Sequence, residues 1–267
     1  MNKLFLKVLK YLIIVYVAAC GLLFLFQEKM IFFPQKLDKD YEFTFDRSFE
    51  EIFIKTNDQS TLNGLLFKTD SSKGLIFYLH GNAGSLQRWG EVATHYTALN
   101  YDVFMLDYRG YGKSDGSISS TEQVFSDVQT AYNRMLELYD QENIVVIGFS
   151  IGSGIAAKLA SVNQPKLLIL EAPYYSMTDM MHHRYPFLPA FLLKYKFSTN
   201  EYLEECEMPV AIVHGTDDPV IYYGSSIKLQ EHFKAKDTLI TLEGQGHNGM
   251  IHNAQYFTAL DKLLDAD

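Results

Sequence analysis

Three short clusters in this chain carry residues able to do acyl chemistry, and each directly follows an apolar run. They are Gly148-Phe149-Ser150-Ile151-Gly152, then His214-Gly215-Thr216-Asp217-Asp218-Pro219-Val220, then Glu243-Gly244-Gln245-Gly246-His247-Asn248. A serine hydroxyl is a poor nucleophile until a base takes its proton, and the base needs an acid to fix its tautomer. Ser150 as nucleophile, His247 as base and Asp217 or Asp218 as orienting acid would meet both needs. Serine, acid, histidine is one of the chain orders in which such triads occur. A G-x-S-x-G pentad means little alone. Here it stands between an expected buried strand, Asn143–Gly148, and an expected helix, Gly152–Val162. At that junction a sharp turn exposes the serine, and bulk at 148 or 152 would clash.

The same reaction needs N–H donors for the oxyanion that forms on the carbonyl. His80-Gly81-Asn82-Ala83-Gly84 follows the apolar run Gly74–Leu79. The backbone N–H of Asn82 is the first candidate donor, and that of Ile151, directly after the nucleophile, is the second. His80 reads as a residue that holds this loop. His252 is the nearest rival to His247 but falls in or beside the closing helix. His95, His182, His183 and His232 lack a strand-end position. GxGxxG, GxxxxGK[ST] and CxxC are all absent, and no metal-ligand cluster is visible, so no cofactor is expected.

What must position these residues is an alternation of strands and helices. Phe49–Thr56 and Thr61–Thr69 read as an opening antiparallel pair, the second broken at Asn63-Gly64. Buried strands are expected at Gly74–Leu79, Asp102–Leu106, Asn143–Gly148, Lys166–Leu170, Pro209–Val213 and Thr238–Leu242. Helices are expected over Gln87–Leu99, Thr121–Tyr139, Gly152–Val162, Tyr222–Phe233 and Asn253–Leu264. Near-continuous apolar strands separated by helices mean a mostly parallel, twisted sheet of about eight strands, covered on both faces. Ligands of such sheets bind beyond the carboxyl ends of the strands, which is where all the clusters above lie.

The chain has 267 residues and a formal charge of −9. Residues 1–40 hold six lysines against Glu28, Asp38 and Asp40, so the acidic excess lies in the rest of the chain. An acidic body repels nucleic acid, and no nucleic-acid partner is expected. The two cysteines, Cys20 and Cys206, are not expected to pair, since Cys20 lies in an apolar run. That run, residues 4–26, is uncharged from Tyr11 to Phe26. A helix of that uncharged length spans about 24 Å, and Lys7 and Lys10 can snorkel to complete a bilayer core of about 30 Å. The bilayer is therefore the expected partner of residues 4–26. Lys3, Lys7 and Lys10 favour a cytoplasmic N-terminus, with the body on the opposite side of the membrane. The alternative is a lipoprotein: Val17-Ala18-Ala19-Cys20 is similar to a lipidation box with Cys20 as the modified residue. The organisation that follows is an anchor and interfacial segment over residues 1–40 and a body over 41–267.

Taken together, HGNAG at 80–84, DYRGYGKSDG at 107–116, GFSIG at 148–152, HGTDDPV at 214–220 and GQGH at 244–247 resemble the α/β-hydrolase superfamily, over roughly residues 50–265. The nearer likeness is to membrane-anchored members with an N-terminal helix, an FQxxxIFFP-like stretch and a short cap. The resemblance implies the α/β-hydrolase fold and selects Asp218, the fifth residue of the HGxxD segment, over Asp217. It gives Asp107 and Arg109 a structural role. It implies an acyl-ester or thioester substrate, since some such relatives remove acyl chains from protein cysteines. Serine at the nucleophile position disfavours dehalogenase and epoxide-hydrolase chemistry. The aromatic and methionine-rich stretch 174–205 is then a short cap insertion, with Phe149, Tyr174 and Tyr175 as candidate substrate-pocket residues for a small or acylated substrate. A peptidase acting on short peptides and a non-catalytic, membrane-tethered scaffold are the alternative functions.

Overall fold

The computed structural model describes residues 2–265. Its centre is an eight-stranded sheet formed by β1 (Phe49–Lys55), β2 (Thr61–Phe67), β3 (Leu75–Leu79), β4 (Asp102–Asp107), β5 (Ile144–Phe149), β6 (Leu167–Glu171), β7 (Val210–Gly215) and β8 (Thr238–Leu242). The strand order across the sheet is β1-β2-β4-β3-β5-β6-β7-β8. The β1–β2 and β2–β4 pairs are antiparallel, and every other pair is parallel. Residues of β3, β4, β5, β6 and β7 are buried throughout, as expected for strands covered on both faces. Along β3, Leu75, Phe77 and Leu79 enter the core beneath the helices Thr121–Leu136 and Ile151–Ser161. Ile76 and Tyr78 enter the opposite core, beneath the helix Ala254–Leu264.

Two expected elements differ. Asn63-Gly64 does not interrupt β2; Gly64 lets the strand lie against Phe104, whose ring is 2.6 Å from where a Cβ would stand. The single helix expected over Gln87–Leu99 is three short pieces, Leu86–Trp89, Gly90–Val92 and Ala93–Thr97. Phe45 presses to 2.3 Å from the Cβ position of Gly90, and the helix changes pitch there.

Between β6 and β7 the chain makes the helix Met177–Arg184, a 3-10 turn Ala190–Leu192 and the helix Thr199–Glu204. The N-terminal helix, Lys3–Leu25, is long and apolar enough to cross a membrane, with a mean hydropathy of 2.4 over its most apolar stretch. It packs along the insertion just described. The Tyr16 hydroxyl donates to the Phe187 carbonyl at 2.7 Å, and Gln27 brackets Leu192 and Lys194 with two bonds of 2.8 Å. The sequence placed the start of the body near Tyr41. The chain joins it earlier: Phe33–Pro34 pairs in parallel with Ala83–Gly84, and Gln35 and Leu37 hydrogen-bond to Gly84 and Gly112.

Candidate active site

Ser150 sits between β5 and the helix Ile151–Ser161 with φ 55° and ψ −120°. That left-handed φ is strained for a residue with a side chain. The turn that imposes it leaves no room for side chains on either flank. A Cβ on Gly148 would meet the Gly152 carbonyl oxygen at 2.4 Å, and one on Gly152 would meet the Leu79 oxygen at 2.2 Å. The turn is tied down on both sides. The Ser150 N–H donates to the Glu171 carbonyl at 2.9 Å, and the Ser153 hydroxyl donates to the Ser150 carbonyl at 2.6 Å.

His247, in the loop after β8, brings its Nε2 to 3.0 Å from the Ser150 Oγ. Its Nδ1 lies 2.7 Å from the Asp218 Oδ2. A carboxylate only accepts, so Nδ1 carries the proton and the Nε2 of the neutral ring is left to accept from the serine hydroxyl. All three side chains are nearly buried, each residue being 8% exposed. Asp217, the adjacent candidate acid, points elsewhere: it is exposed and accepts from Thr216.

Asp218 is held by four donors. Its Oδ1 accepts from the backbone N–H groups of Val220 and Ile221 at 2.8 and 2.9 Å. Its Oδ2 accepts from His247 and also from the Nε2 of His214 at 3.1 Å. Burial alone would raise this carboxyl's pKa. The bonds from His214 and His247, the pull of His247 and the Ile221 amide outweigh it, and the carboxyl is held well below the usual carboxylate range. His214 is a residue that sequence reasoning passed over. Its Nε2 faces two acceptors, Asp218 and the Ile221 carbonyl at 3.0 Å, and its Nδ1 lies 2.7 Å from the Ser226 hydroxyl. Nε2 therefore carries its proton, and the fully buried ring locks the acid's outer oxygen in place.

The candidate oxyanion donors come from two elements. The Ile151 N–H is the first of its helix, where the helix leaves amides without partners. Asn82 is fixed by its own loop: its carbonyl accepts from the Tyr111 hydroxyl at 2.6 Å, and its side-chain oxygen accepts from the Phe33 N–H at 3.3 Å. His80, fully buried, donates from Nδ1 to the Gly81 carbonyl at 2.7 Å and packs its ring on Tyr108 and Trp89. Asp107 accepts from the Leu86 N–H and fills the space a Gly112 Cβ would need. Arg109 forks between Asp127 and Asp58.

Of the three pocket candidates, Phe149 packs against the His247 ring with centroids 5.1 Å apart. Tyr174 does not line a cavity. It is enclosed in the core, its ring against Gly154 and its hydroxyl donating to the Ile151 carbonyl at 3.2 Å. Gly154 leaves the space this ring occupies. Tyr175 faces away, with its hydroxyl 3.2 Å from the His232 Nε2 and its N–H on Ser225.

Behind the serine turn lies a buried polar cluster with no place in the sequence reading. The Glu171 side chain, 1% exposed, accepts from the hydroxyls of Tyr96 at 2.9 Å, Tyr78 at 3.5 Å, and Tyr256. Burial raises its pKa, and the three tyrosine hydroxyls only partly offset the rise. Glu171→Ala takes the acceptor from the Tyr78 hydroxyl and leaves the Tyr96 and Tyr256 hydroxyls only each other, 2.9 Å apart. It should cost at least about 2 kcal/mol, seen as a fall in Tm of roughly 4–8 °C in detergent. The pH dependence has a definite sign. A raised folded pKa makes this group's contribution full below the ordinary glutamate value, about 4.3, and it declines as pH rises from there towards the folded value. Glu171→Gln cannot ionise, so its Tm relative to the wild type should climb with pH above that point. A constant difference from pH 4 to 8 would contradict this.

The family described as serine aminopeptidase, S33, matches residues 70–198. Protein bem46 of Schizosaccharomyces pombe is 31% identical over 220 residues, covering 76% of this chain and 73% of the relative. The α/β hydrolase domain-containing protein 17C of Mus musculus is 28% identical, covering 80% of this chain and 67% of the relative. Among solved structures, the Pyrococcus furiosus esterase Pf2001 superposes with a TM-score of 0.70 at 18% identity, covering 88% of this chain and 97% of the esterase. An α/β-hydrolase from Vibrio vulnificus gives 0.67 at 21% identity, covering 81% and 80%. At these identities the structural likeness speaks to the fold, which is that of the α/β-hydrolases.

Proposed function

The chain belongs to the α/β-hydrolase family that includes protein bem46, and on that footing we propose that it is a membrane-anchored serine hydrolase acting on carboxylic esters or thioesters. The observation that carries the reading is the continuous relay from the Ser150 Oγ through His247 to Asp218, at 3.0 and 2.7 Å. Ser150 attacks the carbonyl carbon, and its proton passes to Nε2 of His247. Asp218 stabilises the imidazolium while the N–H groups of Asn82 and Ile151 bind the oxyanion. Collapse expels the alcohol or thiol, which takes the proton from His247. Water, activated by the same ring, then releases the acid and restores Ser150.

Three features support an apolar acyl group: Phe149 beside the catalytic imidazole, the aromatic insertion after β6, and the apolar helix Lys3–Leu25. The lysines at its N-terminal end favour a cytoplasmic terminus, with the body on the opposite side of the membrane. The family's aminopeptidase description favours a second reading, cleavage of short peptides. The two readings are separated by turnover on a matched pair of substrates, an octanoyl thioester and an aminoacyl p-nitroanilide. The thioester should turn over at least about 100-fold faster, a difference of about 2.7 kcal/mol in barrier. Faster release of nitroanilide would favour the peptidase.

A further inference from the structure

Residues 185–193, Tyr-Pro-Phe-Leu-Pro-Ala-Phe-Leu-Leu, carry no charge, and Arg184 and Lys194 flank them. In a water-soluble body such a run would turn inward. Here Tyr185, Phe187 and Phe191 are 51, 66 and 79% exposed. The run lies along the outer half of the N-terminal helix. At the upper end Gln27 and Glu28 meet the Leu192 carbonyl, Lys194 and the Tyr195 hydroxyl in a polar cluster, and Lys194 also sits over the Phe24 ring at 4.7 Å. At the lower end Tyr16 holds the Phe187 carbonyl. Tyr16 precedes the helix end at Leu25 by roughly 14 Å of axial rise. If the cluster at Gln27 marks the water boundary, Phe187 hangs well inside the leaflet.

The backbone of the run meets the demand of that place in part. Unpaired N–H groups are costly away from water. Pro186 and Pro189 have none, and the N–H groups of Tyr185, Leu188, Leu192, Leu193 and Lys194 all find acceptors within the chain. Among the described residues, the amides of Phe187, Ala190 and Phe191 are those in the run without a protein acceptor. Arg184, which precedes the run, donates to the Pro219 carbonyl, next to the triad's Asp218.

We propose that the tip formed by residues 185–193 inserts into the membrane leaflet beside the N-terminal helix. The catalytic face is thereby fixed against the lipid surface, and acyl chains reach it from the bilayer. This rests on the helix Lys3–Leu25 being an anchor but does not depend on turnover.

The test measures depth in the full-length protein with Cys20→Ala as background. Cys206 can stay, because burial pushes its thiol up to about 12 and it is poorly reactive. Single cysteines are introduced by Phe191→Cys and Phe187→Cys in the tip, Leu12→Cys in the anchor and Asn133→Cys on the exposed face of the helix Thr121–Leu136. Each is labelled with an NBD fluorophore in nanodiscs of phosphatidylcholine and phosphatidylglycerol. Both tip probes should be quenched by nitroxide on the lipid acyl chains about three times more strongly than the Asn133 probe. They should be shielded from aqueous iodide like the Leu12 probe. Tip probes that behave like the Asn133 probe, while the Leu12 probe stays in lipid, would overturn the insertion and leave the anchor standing. An iodide-accessible Leu12 probe would remove the anchor and the insertion together.

Discussion

Ser150→Ala is expected to lower turnover of a p-nitrophenyl ester by about 10⁶-fold, the scale on which nucleophile removal acts in a complete triad. The substitution is a clean one. Alanine keeps the Cβ, so the backbone strain at φ 55° is no greater than with serine. The turn's bonds to Glu171 and Ser153 use backbone atoms of residue 150 and persist. The amides of Asn82 and Ile151 and the surface around them also remain, so some rate above that of water should survive. The protein should unfold at the wild-type temperature and fail to take a fluorophosphonate label. A variant within tenfold of the wild-type rate would place the nucleophile elsewhere.

Asp218→Asn should lower turnover by about 10⁴-fold, whereas Asp217→Asn should change it less than about threefold. The asymmetry follows from the donors around position 218. Two imidazole N–H groups and two backbone N–H groups point at this carboxylate. An asparagine offers one oxygen and a donating amide: with the oxygen kept on the Val220 and Ile221 N–H groups, the amide faces both imidazole N–H groups and both rings lose their acceptor. The His247 proton then moves to Nε2, and Ser150 loses its base. The lowered pKa of Asp218 keeps it ionised throughout the neutral range. The stability it contributes is full above the ordinary aspartate value, about 3.9, and is lost only as pH falls from there towards its folded pKa. Asp217 has no such surroundings. Equal losses in the two variants, measured as kcat with an ester substrate, would remove Asp218 from its assigned role.

The sheet and the meeting of Ser150 with His247 were legible because both rest on periodicity and on strand ends, which a sequence displays directly. The choice between two neighbouring aspartates was not, and family resemblance had to supply it. In space the two diverge completely, one exposed and one surrounded by donors. His214 carried a readable signal, a histidine closing a buried strand four residues before the acid. Its role depends on the Ile221 carbonyl and Ser226, contacts made only after the loop folds back. Glu171 was similarly visible as a lone carboxylate ending the apolar run KLLIL. Its three tyrosine partners come from separate parts of the chain. Tyr174 and Tyr175 were misjudged because aromatic character does not tell direction. Gly154 draws one ring into the core, and His232 draws the other hydroxyl away.

The short pairing of Phe33–Pro34 with the loop that carries Asn82 bears on how this molecule can be cut. A fragment beginning at Tyr41 would discard a splint along with the apolar helix, leaving the Asn82 side chain without the Phe33 N–H and the Gly84 carbonyl without the Gln35 N–H. A fragment starting ahead of Phe32 would shed the greasy helix and keep the brace. The apolar helix and the loop that carries Asn82 are thus joined by one strap, and the practical boundary between that helix and the body falls before residue 32.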